Sequence, residues 1–142
     1  MNSATVGPAG LEIVCADDIS PQAWRNGGGQ TRELLAWPDT ANWQVRISRA
    51  DIASDGPFSA FAGVSRWFAV LRGAGVALAF TDGTREVRLG DTPLQFDGAS
   101  APGCRLLEGA TQDLNLMAQG GTAIMLAARA AIPWSGDWPL RV

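Results

Sequence analysis

The side chains available for chemistry in this sequence are arginines, carboxylates and amides. Its 142 residues include 11 basic residues, all of them arginine, and 14 acidic residues, but no His, Lys or Tyr. Without imidazole there is no Ser–His–Asp or Cys–His nucleophile, and no side chain titrates near neutral pH unless its surroundings shift its pKa strongly. These residue types favour the binding of an acidic molecule over proton transfer.

Arg46 and Arg66 are the best candidates for holding an acidic ligand. Arg46 lies on the polar face of a segment in which apolar and polar residues alternate. A guanidinium can form two parallel hydrogen bonds with a carboxylate, so an arginine that points into a small barrel can hold an acid. The alternative is that these arginines form structural ion pairs with Glu33, Asp55 or Asp97.

Other polar and aromatic side chains could complete such a site. Thr31 and Glu33 share one face of a predicted strand, and Asn115 points opposite to its two leucine neighbours. If that face is the inside of a barrel, mixed donors and acceptors would orient a small polar ligand in an apolar pocket. Each residue could equally belong to a structural network or to the core. The candidate ligand-binding residues are Asn26, Thr31, Glu33, Arg46, Ser48, Phe58, Arg66, Asp97 and Asn115.

The glycine run in WRNGGGQTREL, residues 24–34, raises the question of a phosphate loop. Such a loop needs either a Lys-Ser/Thr ending or spaced glycines before a helix, and neither is present. Glycines also permit positive φ and close approach of another segment, and their N–H groups can surround an anion. The run is therefore interpreted as a tight turn that leads into a strand, beside either packing partners or a carboxylate.

The elements that must position these residues are predicted to be strands. Short segments of alternating or apolar residues are bounded by Gly, Pro, Asp and Asn, with an Asp-Gly hairpin signal at 81–84 and no long amphipathic helix. Closely spaced strands predict an all-β sandwich or barrel, since closing a sheet removes its edges. The predicted strands are 31–37, 43–50, 65–73, 75–81, 85–90, 92–96, 104–108, 112–118 and 122–129.

Length and composition narrow the possible domain organisation, partners and location of the protein. The chain is 46% hydrophobic and 18% charged, which predicts one globular domain over residues 1–142. Scattered arginines and a net charge of −3 give no basic patch for nucleic acid. Cys15 and Cys104 have no metal-ligand spacing and are expected to be idle thiols. Without a leader pattern or a long apolar run, we expect a cytoplasmic protein that does not bind membranes.

Four segments resemble the HutD/Ves family in order and approximate spacing. They are residues 24–34, 43–75, 95–98 (QFDG) and 113–117 (DLNLM), and the combination of an Asn-Gly-Gly-Gly turn, a DGPFS loop and an LN-x-M strand is specific. The resemblance implies a cupin-like antiparallel β-barrel and a link to histidine utilisation. It also implies binding of a small carboxylate intermediate, of the urocanate or formyl- or formimino-glutamate type, by a protein that senses or limits the pathway.

One departure from the family concerns the length of the chain. Members usually continue into a second cupin-like half, whereas about two dozen residues follow the LN-x-M strand here. The chain therefore resembles a short form that lacks most of the second half. A homodimer could replace that half, with Trp134 and Trp138 as contacts. The alternative is that both tryptophans fold back onto their own barrel.

The sequence thus predicts a non-catalytic protein that binds a small carboxylate and uses no cofactor or metal. One alternative is a metal-independent cupin enzyme, an isomerase or lyase, in which Glu33 or Asp97 acts as general base after burial raises its pKa. Another is a structural or protein-interacting barrel. An all-oxygen metal site is also conceivable, but the lack of His removes the ligands that cupin metals use most.

Overall fold

The computed structural model describes residues 4–6 and 12–131. These residues form twelve β-strands and two short 3-10 helices, Ala16–Asp18 and Gly98–Ser100. The strands are β1 (Ala4–Val6), β2 (Glu12–Val14), β3 (Gln22–Ala23), β4 (Gly29–Trp37), β5 (Val45–Ile52), β6 (Gly56–Pro57), β7 (Val64–Arg72), β8 (Val76–Phe80), β9 (Gly83–Val87), β10 (Leu94–Asp97), β11 (Gly103–Leu106) and β12 (Thr111–Gln119).

The strands form three antiparallel sheets within the described part of the chain. The largest has six strands in the order β10-β7-β12-β5-β4-β3, the second has four in the order β6-β11-β8-β9, and β1 pairs with β2. The two larger sheets do not share a ladder, so they form a sandwich and not a closed hydrogen-bonded barrel. β12, late in the chain, lies at the centre of the six-stranded sheet.

The core lies between the two larger sheets. Phe68 and Ile52 of the six-stranded sheet and Leu78 and Val76 of the four-stranded sheet are at most 1% exposed. Period-two alternation places one side of β5, β7 and β12 in this layer. Cys104 of β11 is part of the same cluster, as expected for an idle thiol.

Polar side chains share the inner face of the six-stranded sheet with this core. Ser48 of β5 lies opposite Asn115 of β12, which lies opposite Phe68 of β7. Directly paired residues point to the same side of a sheet, so Ser48 and Asn115 face the core. The same register adds Thr31, Glu33, Arg46 and Arg66 to this face.

The predicted strands correspond to β4, β5 and β7–β12, but the one predicted at 122–129 is wrong. Those residues form no strand, and the chain leaves the sheet through Gly120, whose φ of +63° is unfavourable for other residues. The Ala123 carbonyl instead accepts a hydrogen bond of 3.0 Å from Trp67 Nε1. The segment therefore passes beside the indole of Trp67 without joining the sheet.

The glycine run forms a tight turn that leads into β4. Gly27 has a φ of +73°, and Asn26 Oδ1 accepts a hydrogen bond of 2.9 Å from the Gly28 N–H. A Cβ atom at Gly29 would lie 2.6 Å from the Asp51 carbonyl oxygen and 3.2 Å from the ring of Trp24. Glycine is therefore required at position 29 because β5 and Trp24 approach the backbone closely.

Two further predictions concern the tail tryptophans and membrane-spanning segments. Trp134 and Trp138, suggested as dimer contacts, lie outside the described residues. Within residues 4–6 and 12–131, no helix has the length and apolar character needed to cross a membrane.

Candidate functional site

Arg66 is the one buried arginine among the described residues, with 5% of its surface exposed. Its guanidinium carbon lies 5.1 Å from the ring centres of both Phe58 and Phe96 and 5.7 Å from that of Phe61. At such distances the negative faces of aromatic rings attract a cation. The three phenylalanines, which we call the aromatic cage, therefore surround the Arg66 charge.

Arg66 has no carboxylate of the described residues within ion-pair distance. Its Nη2 donates to Asn115 Oδ1 at 3.0 Å, its Nη1 lies 3.5 Å from the Ser59 carbonyl oxygen, and its Nε is buried without a hydrogen-bond partner. Burial, and secondarily the charge of Arg46, lowers the pKa of Arg66 to about 10, so the group is still charged at neutral pH. A buried charge is costly unless it is paired, so this site favours an anion.

Arg46, in contrast, has a carboxylate partner. Its Nε donates to Glu33 Oε1 at 3.0 Å, and Thr40 Oγ1 donates to Glu33 Oε2 at 3.2 Å. A bulge in β4 between Glu33 and Leu35 interrupts the register beside this pair. The structural ion-pair interpretation therefore holds for Arg46 and not for Arg66. Glu33 compensates the charge of Arg46, whereas no carboxylate of the described residues compensates that of Arg66.

Asn115 and Ser48 complete the buried polar surroundings, with 5% and 3% of their surface exposed. The Asn115 amide oxygen accepts a hydrogen bond from Arg66, so the NH₂ group of Asn115 can donate a hydrogen bond to another molecule. Asn115 thus positions Arg66 as well as being a candidate ligand contact. We call Arg46, Arg66, Glu33 and Asn115, together with the aromatic cage, the arginine cluster.

The structure does not place Asn26, Thr31 or Asp97 in the arginine cluster. Asn26 is exposed in the glycine turn, where it caps Gly28, and the Thr31 hydroxyl accepts a hydrogen bond of 2.7 Å from Trp24 Nε1. Asp97 follows Phe96 on β10 and therefore points to the opposite face of the sheet, where its carboxylate accepts from the Ala99 N–H at 2.9 Å. Local capping explains the position of Asn26, and alternation explains that of Asp97, whereas Thr31 lies on the inner face but is bonded to Trp24.

Asp113 is a buried titratable group that sequence reasoning missed. It is 0% exposed on the inner face of β12, where Oδ2 accepts from Thr111 Oγ1 at 2.7 Å and Oδ1 has no partner. Burial raises the pKa of Asp113 to about 7, against the hydrogen bond from Thr111 and with help from the charge of Asp51. Its position two residues before Asn115 was the signal, since both residues must share a face.

Two surface depressions lie away from the arginine cluster. One, of about 490 Å³, is beside the glycine turn and is lined by Gly27, Asp51, Arg72 and Thr111 among others. The other, of about 420 Å³, is on the four-stranded sheet and is lined mainly by small residues such as Ala79. Neither depression is lined by Arg46 or Arg66, so the one beside the glycine turn does not include these arginines.

The arrangement is suited to holding an anion. In the described part of the chain, no group of three or more Cys, Asp or Glu side chains is placed to hold a metal ion. Among the carboxylates proposed for proton transfer, Glu33 is ion-paired with Arg46 and Asp97 faces away from the cluster. The groups of the arginine cluster that can interact with negative charge are the buried guanidinium of Arg66 and the amide of Asn115.

A protein-family model described as HutD matches residues 16–133. The chain belongs to the HutD family. The match includes every residue of the arginine cluster and both of the larger sheets.

Relatives of this HutD-family chain are longer than it is. An uncharacterised 21.2 kDa protein in the hutC 3′ region of Pseudomonas putida is 37% identical over 111 residues, which are 75% of this chain and 57% of the relative. Protein Ves of Citrobacter koseri is 38% identical over 96 residues, 66% of this chain and 50% of the relative. The chain thus spans about half the length of the curated relatives it matches.

Solved structures agree with the family and with the fold. HutD from Pseudomonas fluorescens SBW25 superposes with a TM-score of 0.69 at 36% identity, over 74% of this chain and 58% of that one. The cupin domain of Cnp3 from Schizosaccharomyces pombe superposes with a TM-score of 0.60 at 11% identity, over 84% of this chain and 86% of that one. The second likeness concerns the fold alone, and it confirms the predicted all-β, cupin-like class.

Proposed function

We propose that this HutD-family protein binds a small carboxylate without transforming it, and that the arginine cluster holds the acid. The observation that carries the proposal is the burial of the Arg66 guanidinium without a carboxylate partner among the described residues. An acid in the cluster would supply the missing negative charge. Nε of Arg66 and the NH₂ group of Asn115 are the donors available to it once the cage admits it.

The proposed acid carries one carboxylate at the arginine end and belongs to the urocanate or formyl- or formimino-glutamate type. The cluster has one excess positive charge, which a single carboxylate neutralises. The rings of the aromatic cage offer an apolar surface for a planar or short acyl part of the molecule. One relative is named for its position in the hutC 3′ region, which supports a role as sensor or modulator of histidine utilisation.

A thermal-shift series tests the binding proposal. Urocanate, formylglutamate and formiminoglutamate are each added to the purified protein, with the methyl ester of urocanate as a matched uncharged control. A ligand that binds only the native state stabilises it by mass action, by about 2.7 kcal/mol at a hundred times its Kd, which raises Tm by about 5–10 °C for a chain of this size. We expect such a rise with at least one acid and none with the ester.

Substitution of Arg66 locates the site. Arg66→Met removes the guanidinium while it keeps an apolar chain among the rings, so the fold is expected to persist and the shift to disappear. Arg105→Met, at an exposed position on the other large sheet, is the matched control and should respond to the acid as the wild type does. An undiminished shift in the Arg66 variant, or no shift with any acid in the wild type, would contradict the proposal.

Catalysis is tested in the same samples. Any acid that stabilises the protein is incubated with it and followed by proton NMR, because an isomerase or lyase would change the spectrum of the acid while a binding protein would not. Persistence of the acid over many protein equivalents is the result expected here. Turnover would replace the binding proposal with the enzyme alternative.

A further inference from the structure

The aromatic cage closes Arg66 off from solvent, so an acid needs a way in. Of the three rings, those of Phe58 and Phe96 are 8% and 7% exposed and pack in the core, whereas Phe61 is only half-buried. Phe61 lies in the loop between β6 and β7, and its neighbours Ser59, Ala60 and Ala62 are exposed. The Phe61 ring is thus the one member of the cage with solvent beside it.

The backbone of Phe61 is held in place. Its N–H donates to the Gly98 carbonyl oxygen at 2.7 Å, and its own carbonyl accepts from the Val64 N–H at 3.3 Å. A Cβ atom at Gly98 would lie 2.7 Å from the Phe61 carbonyl oxygen, so the two segments are in close contact. Movement of the loop as a whole would break these contacts, whereas rotation of the side chain would not.

The Phe61 ring makes longer aromatic and cation–π contacts than the other two rings of the cage. It lies 5.7 Å from the Arg66 guanidinium, farther than the other two rings, and it meets Trp43 edge-on at 6.5 Å between ring centres. Both interactions are of the weak kind made at partly exposed sites. The ring can therefore leave the cage at a small cost, while Phe58 and Phe96 cannot leave without opening the core.

We propose that the Phe61 ring is the removable cover of Arg66, and that an acid reaches the guanidinium when this ring rotates outward about a fixed backbone. The proposal rests on the carboxylate-binding function for its biological meaning, but the cover itself is a property of the protein without ligand. Phe61 would thus control access to Arg66, a role that the neighbouring DGPFS loop sequence does not indicate.

Chemical modification of arginine tests the cover without any acid. Phenylglyoxal reacts with accessible guanidinium groups, and peptide mapping by mass spectrometry measures the rate at each arginine. Arg72 is exposed and serves as the internal reference. Arg66 of the wild type should react slowly relative to Arg72, and Phe61→Ala should raise the relative rate at Arg66 about two- to fivefold, as expected when a cation–π contact of this weak kind is lost.

Two further variants keep the test decisive. Ser59→Ala alters an exposed side chain of the same loop and should leave the Arg66 rate at the wild-type value. Phe61→Leu retains more apolar volume and replaces Phe61→Ala if that variant does not fold. It should give a smaller but measurable increase in the Arg66 rate. An Arg66 rate equal to that of Arg72 in the wild type, or an unchanged rate in folded Phe61 variants, would overturn the proposal. Failure of every acid to bind would instead overturn the binding function and leave the cover in place.

Discussion

Replacement of Asp113 by Asn should remove a large part of the pH dependence of stability. Asp113 is 0% exposed and has one hydrogen bond, from Thr111. Its pKa rises from 3.8 in the unfolded chain to about 7 in the fold, mainly through burial. A difference of this size corresponds to about 4 kcal/mol, at 1.36 kcal/mol for each pH unit.

The sign of the effect follows from which state holds the proton. Between pH 4 and pH 7 the unfolded chain has lost the Asp113 proton while the folded protein retains it, so the folded state binds more protons and stability falls as pH rises. The stability that the Asp113 proton contributes is fully present below the unfolded pKa and is lost progressively up to pH 7. Above pH 7 both states have lost the proton, and stability no longer changes with pH through this group. The amide introduced by Asp113→Asn would be neutral throughout, and its oxygen can still accept from Thr111.

Urea unfolding at pH 5, 6, 7 and 8 measures the difference. The free energy of unfolding of Asp113→Asn should exceed that of the wild type at pH 8 by up to about 4 kcal/mol, and the gap should close towards pH 4. Asp82→Asn, at an exposed position, is the matched control and should follow the wild type. Parallel curves for wild type and Asp113→Asn would refute the argument that Asp113 is buried as an acid.

Other consequences of the structure are directly measurable. Burial raises the pKa of the Cys104 thiol to about 12. Iodoacetamide at pH 8 should therefore label exposed Cys15 and spare Cys104 in the folded protein. Equal labelling of the two cysteines would contradict the burial of Cys104. Gly29→Ala should lower the urea midpoint, because the new Cβ would lie 2.6 Å from a β5 carbonyl oxygen; an unchanged midpoint would show that β5 can shift. Asn115→Asp would place a carboxylate where an amide oxygen now lies 3.0 Å from Arg66 Nη2. This carboxylate would neutralise Arg66 in place of the acid, so acid binding should be abolished. Retained binding would count against charge compensation as the driving force.

Local alternation was enough to predict which strand residues share a face. Arg46 and Ser48 lie two residues apart on β5, so they share a face, because period two is a property of the strand itself. The strand order that makes β12 the neighbour of both β5 and β7 is set by contacts far apart in sequence, which no local pattern encodes. The Arg66–Asn115 hydrogen bond, across 49 residues, depends on that order.

Burial was the property that sequence reasoning misjudged. An aspartate in a strand is normally exposed, so the strand pattern alone gives no reason to expect that burial raises the pKa of Asp113. Asp97 is predicted from the sequence as a ligand contact or general base, but it follows Phe96 directly and therefore points away from the core. Phe61 became part of the cage because the β6–β7 loop folds over Arg66, and loop paths are not determined by residue alternation.

The central place of β12 also determines when the protein can fold as it is synthesised. β5 and β7 are not neighbours in the six-stranded sheet, and among residues 4–6 and 12–131 it is Thr111–Gln119 that joins them. Until this segment has left the ribosome, each of the two strands presents an unpaired edge and Arg66 has no Asn115 to bind. Nascent chains that stop before residue 111 should therefore need protection from aggregation, and the arginine cluster should be the last part of the core to be assembled.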